Sequence, residues 1–345
     1  MRKKLVKKVL VITIMVLIVV VSIFISGCSE KKLTKADVKE KPSLKNIISY
    51  ANAYLEYTTE DLEKLKRFDI VVIEPYYVPN KQFLYELKSA GTIILAYVSV
   101  GEADNERRYW VDWEPTNKTP DNPTIPRTIV TKDDPMFIGE DPGWEGSYFV
   151  DASNPKWHNI MLNEEIPYIL WLGGGLYDGL MMDLVDVVDE YEEYPNENEM
   201  RQGMINLIKE IREKYPNLLL VPNRGFGILL EMAQYIDAFK FEEMTGAYGN
   251  IPGDTHYGEY YLKIDENGNR ENQEEIDLLF SVLQDYPMPV LVLDHVQTEP
   301  PNEEMARKCF DEAQRLSMES GYRFIWYGNS VDQDLPIWSF LPLRK

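Results

Sequence analysis

The sequence GGGLYDGLMMDLVDVVD, at residues 173–189, decides the fold class of this chain. Three glycines end a helical pattern, and an apolar run of strand length then leads to Asp183, with Asp186 and Asp189 just beyond it. Parallel α/β folds carry their chemistry at the carboxyl ends of buried strands. An aspartate in this place also commonly caps the next helix or lies in a solvated turn, so both interpretations of Asp183 have to be weighed.

Seven further β-rich runs alternate with amphipathic helical patterns, in which apolar residues recur at spacings of three and four. The eight predicted strands are residues 47–51, 70–74, 93–98, 180–183, 218–222, 238–242, 290–294 and 322–326. Near-continuous apolar strands that alternate with helices predict a parallel sheet covered by helices. Eight such repeats in about 300 residues favour an α/β fold of the (β/α)8 TIM-barrel type over an open doubly wound sheet.

The connection after the third strand is unusually long. It runs from residue 101 to 146, is rich in Pro, Asp and Asn, and has no sustained periodicity. Such segments are usually functional or disordered, and the tryptophans Trp110, Trp113 and Trp144 argue against disorder. Because it follows a barrel strand, we expect this insertion to form a lid or a cleft wall over the catalytic face. A short accessory strand is expected at residues 146–151.

The first 27 residues predict an export signal, with a basic start followed by an apolar run at residues 9–25. Extended back to Leu5, this run approaches the roughly 20 residues of a membrane-spanning helix, which is the alternative. The sequence ISGC at residues 25–28 resembles the lipobox of bacterial lipoproteins and makes Cys28 the expected lipidation site. We therefore expect an exported protein, lipid-anchored at the cell surface or envelope, with a flexible tether at residues 28–45 and a single catalytic barrel at 46–345.

The net charge of −21 argues against nucleic acid as a partner and would attract a cationic polymer. The second cysteine, Cys309, falls on an apolar helix face and is expected in the core. The three histidines have no zinc-type spacing, no G-x-S-x-G elbow occurs, and the glycines at 225 and 227 lack the third glycine of a dinucleotide fingerprint. We expect neither metal nor cofactor, and a monomer.

Carboxylates, amides and aromatic side chains stand at or near the predicted strand ends, where they would line one face of a barrel. Carbohydrate sites have this composition, because aromatic faces hold sugar rings and a pair of carboxyl groups cleaves the glycosidic bond. Asp183 and Glu242 are the predicted pair, with Asp186 and Glu243 as substitutes. The predicted substrate-binding residues are Glu74, Tyr76, Tyr97, Glu102, Trp110, Asp151, Asp186, Asn223, Arg224, Asp294 and Tyr327.

The chain resembles glycoside hydrolase family 114, the endo-α-1,4-polygalactosaminidase-like barrels. The resemblance rests on YVSVGEADNERRYW from residue 97, GSYFVDASNPKW from 146, YDGLMMDLVD from 177 and IDAFKFEEM from 236. It implies Asp183 and Glu242 as the catalytic pair and a match of Glu102 and Asp151 to further family positions. It also implies cleavage of α-1,4-linked galactosamine polymers, which are cationic where deacetylated.

Within the pair, Glu242 is expected to be the acid and Asp183 the nucleophile or base. The separation of the two carboxyl groups would decide between retention, at roughly 5 to 5.5 Å, and inversion, at about 6.5 to 9.5 Å. Two alternatives remain at this point. One is a lipid-anchored, sugar-binding envelope protein without catalysis, and the other is a metal-dependent hydrolase such as a deacetylase.

Overall fold

The structure, a computed structural model, describes residues 40–194, 196–250, 257–265 and 267–345. The predicted signal peptide, Cys28 and most of the predicted tether lie outside these residues. No helix in the described part of the chain is both long enough and apolar enough to span a bilayer.

Strands and helices alternate through the chain, and each of the eight predicted runs overlaps an observed strand. In chain order the strands are β1 (Tyr50–Ala53), β2 (Ile70–Ile73), β3 (Ile93–Ser99), β4 (Glu102–Asp104), β5 (Phe137–Glu140), β6 (Ser147–Val150), β7 (Gly179–Asp183), β8 (Leu219–Pro222), β9 (Phe239–Glu242), β10 (Gly246–Asn250), β11 (Tyr257–Leu262), β12 (Val290–His295) and β13 (Phe324–Asn329).

The α-helices are α1 (Thr59–Leu65), α2 (Lys81–Ser89), α3 (Pro155–Ile160), α4 (Ile166–Leu172), α5 (Glu197–Lys214), α6 (Leu229–Met232), α7 (Gln273–Asp285) and α8 (Glu303–Ser320). A π-helical turn at Met161–Glu165 joins α3 to α4, and 3₁₀ turns occupy Val185–Glu193, Phe226–Ile228 and Ala233–Tyr235.

The parallel strands form two hydrogen-bonded arcs, one ordered β1-β2-β3-β7-β8 and the other β13-β12-β9. A parallel bridge between Asn223 and Lys240 joins β8 to β9, where the Arg224 N–H also donates to the Lys240 carbonyl at 2.9 Å. At the other joint, between β13 and β1, the Asn329 side-chain amide donates to the Asn52 carbonyl at 2.8 Å. The eight parallel strands thus have the TIM-barrel arrangement predicted from the sequence.

Helices cover the outside of this wall through the apolar faces predicted from their periodicity. Met200, Met204, Leu207, Ile208 and Ile211 of α5 are all fully buried. Burial of a side chain of this size contributes roughly 1.5–3 kcal/mol relative to exposure, so such a face holds a helix on the sheet.

The glycines at 173–175 end α4, as predicted. Gly174 and Gly175 have positive φ angles of 60° and 81°, which residues with a Cβ rarely adopt. The chain can therefore turn sharply from the end of α4 toward β7.

The insertion after β3 is folded around an antiparallel sheet ordered β4-β6-β5, and β6 coincides with the predicted accessory strand. Arg108, which is 3% exposed, ties its long loop together by donating to Asp121 and to the carbonyls of Asn122, Ile125 and Pro126. The insertion is an ordered wall because these hydrogen bonds satisfy its buried backbone groups.

Four strands begin later than predicted: β8 and β9 by one residue, β13 by two and β1 by three. The two larger delays have a local cause. The Asp69 carboxylate accepts from the backbone N–H groups of Ile48 and Ser49, so the ladder of β1 starts only at Tyr50. Near β13, the Tyr322 N–H donates to Ser320 at the end of α8, and the strand starts at Phe324. Its carboxyl end therefore lies three residues later than the sequence pattern predicts.

Candidate active site

Asp183 and Glu242 lie side by side at the carboxyl rim of the barrel. Asp183 ends β7, Glu242 ends β9, and Asn223 follows β8 between them. The Asn223 side-chain nitrogen donates to Asp183 Oδ1 at 2.8 Å and to Glu242 Oε2 at 2.6 Å. These two carboxyl oxygens are therefore no farther apart than the sum of the two distances. The Asp183 carboxyl group thus shares a hydrogen-bond donor with Glu242.

Two side chains that can carry a positive charge, those of Lys240 and His295, contact Glu242. Lys240 lies two residues earlier on β9 and hence on the same face of the strand, with its Nζ 2.9 Å from Glu242 Oε2. His295 ends β12, and its Nε2 lies 3.1 Å from Glu242 Oε1. The Lys240 side chain is only 2% exposed and that of Glu242 is 17% exposed, so the ion pair is largely shielded from water.

The two carboxyl groups have pKa values shifted in opposite directions. Burial alone would raise the pKa of Glu242, but the charge of Lys240 and the hydrogen bond from His295 outweigh it and hold that pKa well below its usual value. Burial raises the pKa of Asp183; Lys240 partly offsets this effect, and the negative charge of Glu242 reinforces it. Glu242 is thus ionised in the unliganded site, and Asp183 takes up a proton more readily than an ordinary aspartate.

The backbone is strained directly after each of these strand ends. Leu184, Arg224 and Glu243 have positive φ angles of 59°, 53° and 54° although none is glycine. Such conformations cost on the order of 1–3 kcal/mol each and cluster at functional sites. In this chain they follow Asp183, Asn223 and Glu242 in turn, so the strain lies at the rim that presents the polar side chains.

Arg224 binds the outer acidic residues of the same rim. Its guanidinium group lies 3.2 Å from Asp186 and 3.1 Å from Glu275, and it donates to the Glu242 carbonyl at 3.1 Å. Burial raises the pKa of Asp186 to about 7, with Arg224 opposing that rise. Arg224 therefore holds Asp186 at the same rim, next to Asp183 and Glu242.

Glu102 lies at the start of the insertion, where the insertion packs against the barrel rim. A Cβ added to the preceding Gly101 would lie 1.8 Å from the carbonyl oxygen of Leu184, so the insertion packs directly on the residue after Asp183. Glu102 is 2% exposed, and burial together with a hydrogen bond to Asp141 raises its pKa to about 9. Its buried Oε1 has no hydrogen-bond partner among the described residues.

An arginine supports the other side of the site. The Arg107 guanidinium donates to both carboxyl oxygens of Glu74, at 2.8 and 3.0 Å, and lies 4.7 Å from the ring centre of Tyr76 and 5.5 Å from that of Tyr97. Tyr97 in turn packs edge-on against Tyr54 at 4.9 Å. Glu74 and Tyr76 are buried and act on the site by fixing Arg107, whereas Tyr97 is only partly buried.

Residues 34–326 match the model of glycoside-hydrolase family GH114. The chain belongs to this family. Its fold is similar to the glycoside hydrolase domain of PelA from Pseudomonas aeruginosa, with a TM-score of 0.59 and 21% identity over 83% of this chain and 96% of that domain. A variant of the same PelA domain superposes with a TM-score of 0.60.

Sequence relatives of this GH114 chain occur in distant organisms. An uncharacterized protein of Methanocaldococcus jannaschii is 26% identical over 253 residues, which are 70% of this chain and 63% of that protein. An uncharacterized protein of Thermotoga maritima is 29% identical over 150 residues, 41% of this chain and 39% of that protein. The GH114 chain thus spans less than two thirds of the length of these relatives.

Three residues that the sequence predicted on the GH114 substrate face are instead in the core. Trp110 is stacked on Tyr148 and Phe137 within the insertion. Asp294 is fully buried, and its oxygens accept from the Thr245 N–H and the Trp326 indole. Tyr327 lies inside β13 because that strand ends later than predicted, so its ring is fully buried. None of the three has a surface to offer a ligand.

Asp151 makes only local contacts. Its Oδ1 accepts from the backbone N–H of Ser153 at 2.9 Å and from the Ser153 hydroxyl at 2.6 Å, in the turn before α3. Its substrate-binding role stays a prediction. Among the described residues, no three His, Cys, Asp or Glu side chains are grouped as ligands for a metal ion.

The sequence analysis did not predict three residues that contact Glu242, although two of them have a recognisable position in the sequence. Lys240 is a lone cation in the apolar strand FKFE, two positions before Glu242. His295 directly follows the predicted strand at residues 290–294. Gln333, whose Nε2 is 3.4 Å from Glu242 Oε1, lies in the loop after β13 with φ 55°, and no local pattern marks it.

We expect Lys240→Met to lower the free energy of unfolding by about 3–5 kcal/mol, because it leaves the Glu242 carboxylate buried without its charge partner. Denaturant unfolding monitored by circular dichroism measures this change. Lys308→Met is the control, since Lys308 pairs with Glu304 at 2.9 Å on the exposed face of α8 and its loss should leave the unfolding midpoint in place. Equal midpoints for the two variants would contradict a buried charge interaction at Lys240.

Proposed function

We propose that this GH114 protein is an endo-acting glycoside hydrolase of an amino-sugar polysaccharide of the α-1,4-galactosaminan type, with Asp183 and Glu242 as its carboxyl pair. The observation that carries the proposal is the amide of Asn223, which holds one oxygen of each carboxyl group within hydrogen-bonding distance of a single nitrogen. Glycoside hydrolysis needs two carboxyl groups flanking the scissile bond.

The close approach of the pair supports a retaining reaction. Retaining enzymes place their carboxyl groups about 5–5.5 Å apart, whereas inverting enzymes leave about 6.5–9.5 Å for a water molecule between them. In the proposed reaction Asp183 attacks the anomeric carbon and Glu242 protonates the leaving oxygen. Asp183 must be ionised to attack, so activity should rise as the pH rises through its raised pKa.

The charge of the site supports a cationic substrate. Asp186 and Glu275 are further carboxylates bound by Arg224 at this rim, and the whole chain carries a net charge of −21. An amino-sugar polymer with free amines would be drawn to such a surface.

We expect Asp183→Asn and Glu242→Gln each to lower kcat/KM for hydrolysis of an α-1,4-galactosamine polymer on the order of 10³-fold or more, because each removes one half of the pair. Size-resolved products from the full chain in detergent measure this, and proton NMR of the first product should show an α-anomer.

Asp189→Asn is the matched control for these variants, since Asp189 is an exposed aspartate on the 3₁₀ turn that follows the same strand. It should retain normal turnover. Near-normal turnover by both pair variants would contradict the assignment, and binding of the polymer without any product would favour the non-catalytic alternative.

We expect Trp144 to hold a sugar ring beyond the cleaved bond. Its side chain is 67% exposed in the turn between β5 and β6, three residues after the Asp141 that bonds Glu102. Trp144→Ala should raise KM for the polymer about 2- to 10-fold with little change in kcat, because an aromatic platform contributes about 0.5–1.5 kcal/mol. The control is Trp171→Ala, at an exposed tryptophan that packs on Tyr168. A larger KM effect at Trp171 would contradict the role of Trp144.

We also propose that the protein is exported and held at the membrane by a lipid on Cys28, as the lipobox-like sequence at residues 25–28 indicates. When the full chain is expressed in a bacterium fed a labelled fatty acid, it should take up the label. Cys28→Ala should not, whereas Cys309→Ala should label normally because Cys309 is buried in the core. Labelling of the Cys28 variant would contradict a lipid at this residue.

A further inference from the structure

His295 and Glu242 form a contact that the two-carboxylate reaction does not itself require. His295 Nε2 lies 3.1 Å from Glu242 Oε1, while the other oxygen of Glu242 is taken by Lys240 and Asn223. His295 is 7% exposed, and its Nδ1 has no hydrogen-bond partner among the described residues. The Nε2 proton is therefore the one with an acceptor, and that acceptor is Glu242.

Glu242 needs this proton if it acts as the general acid. A general acid must carry a proton when the bond breaks, but Lys240 and His295 keep Glu242 ionised in the unliganded site. Lys240 and Asn223 bind Oε2 and stabilise its negative charge, which leaves Oε1 as the oxygen that can be protonated. His295 is the group at Oε1 whose ordinary pKa lies near neutrality.

We propose that His295 is the proton reservoir of Glu242 and thereby a positioning residue for the acid step of the proposed reaction, on which this inference rests. The imidazolium passes its Nε2 proton to Glu242 Oε1, and the resulting carboxyl group protonates the glycosidic oxygen. The bond between the anomeric carbon and that oxygen breaks with its electron pair on the oxygen, while Asp183 bonds to the carbon.

The second step returns the proton. Water attacks the anomeric carbon and displaces Asp183, which leaves as a carboxylate. The proton that the water loses goes to Glu242 and then back to His295 Nε2. Each turnover therefore begins and ends with an imidazolium, an ionised Glu242 and an ionised Asp183.

The charges around His295 favour the protonated ring. Burial would lower the pKa of His295, but the hydrogen bond and charge of Glu242 and the charge of Glu243 outweigh it and raise that pKa, with Lys240 opposing. Asp294, the neighbour on β12, adds negative charge while its own oxygens are bound to Thr245 and Trp326. The further titratable groups that interact electrostatically with Glu242 are Asp183 of β7, Asp186 of the 3₁₀ turn, Tyr50 of β1 and Tyr54 just after β1.

The test compares His295→Gln with the wild-type full chain in detergent on two substrates that differ only in the leaving group. One is the galactosamine polymer, and the other is a galactosamine oligosaccharide with a dinitrophenyl leaving group, which departs without protonation. His295→Gln should lower kcat/KM on the polymer about 10²-fold or more but on the aryl substrate less than about 10-fold. The wild type should lose polymer activity at high pH as His295 loses its proton, and His295→Gln should not show this fall.

A structural role would give a different result, because misplaced carboxyl groups would slow both substrates equally and leave the shape of the pH profile unchanged. Either outcome would overturn the role of His295. The control is His158→Gln, since His158 pairs with Glu210 at 2.8 Å away from the carboxyl pair and should change neither substrate.

A measurement on the wild type keeps the proposal testable if His295→Gln does not fold. Imidazole ¹⁵N NMR should show that His295 holds its proton above the usual pKa of about 6.5, and that Glu242→Gln lowers this pKa. An unchanged titration in Glu242→Gln would overturn the proton reservoir. Absence of polymer hydrolysis by the wild type would instead overturn the proposed function.

Discussion

The buried ammonium group of Lys240 is the charge on which the rest of the site depends. It lies within the barrel at 2% side-chain exposure and is the nearest full positive charge to Glu242, while it also lowers the pKa of Asp183. Two carboxyl groups that share a poorly hydrated site repel each other, and without a cation neither would ionise readily. The charge of Lys240 reduces this repulsion, so the carboxyl groups of Asp183 and Glu242 can lie at the same rim. The polar side chains around them supply the hydrogen bonds that a buried charge requires.

The geometry of the barrel supplies the rest. Parallel strands end at one rim, so β7, β8 and β9 present Asp183, Asn223 and Glu242 next to one another, although about 60 residues separate the two carboxyl groups along the chain. The left-handed residues after these strands turn the chain away directly behind the polar side chains. The rigid elements thus position the side chains, and the strain stays in the residues that follow them.

The sequence predicts those parts of this arrangement that leave a local pattern. The alternation of apolar strands and amphipathic helices predicted the barrel, and strand-end carboxylates together with the family motifs pointed to Asp183 and Glu242. The last strand ends three residues later than predicted, so Tyr327 is buried inside β13 and does not follow its end. The hydrogen bond from Tyr322 to Ser320 that delays this strand cannot be read from a hydrophobic pattern. Arg107 and Gln333 reach the site from loops, where only the tertiary structure brings them close.

The division of the parallel strands into two hydrogen-bonded arcs has a consequence for how the site forms. Asp183 belongs to the five-stranded arc and Glu242 to the three-stranded one, and the joint between them is the bridge from Asn223 to Lys240. A chain in which only the first arc had formed would hold Asp183 with neither its cation nor its partner carboxylate. The contact between the two arcs is therefore what places the two carboxyl groups next to each other.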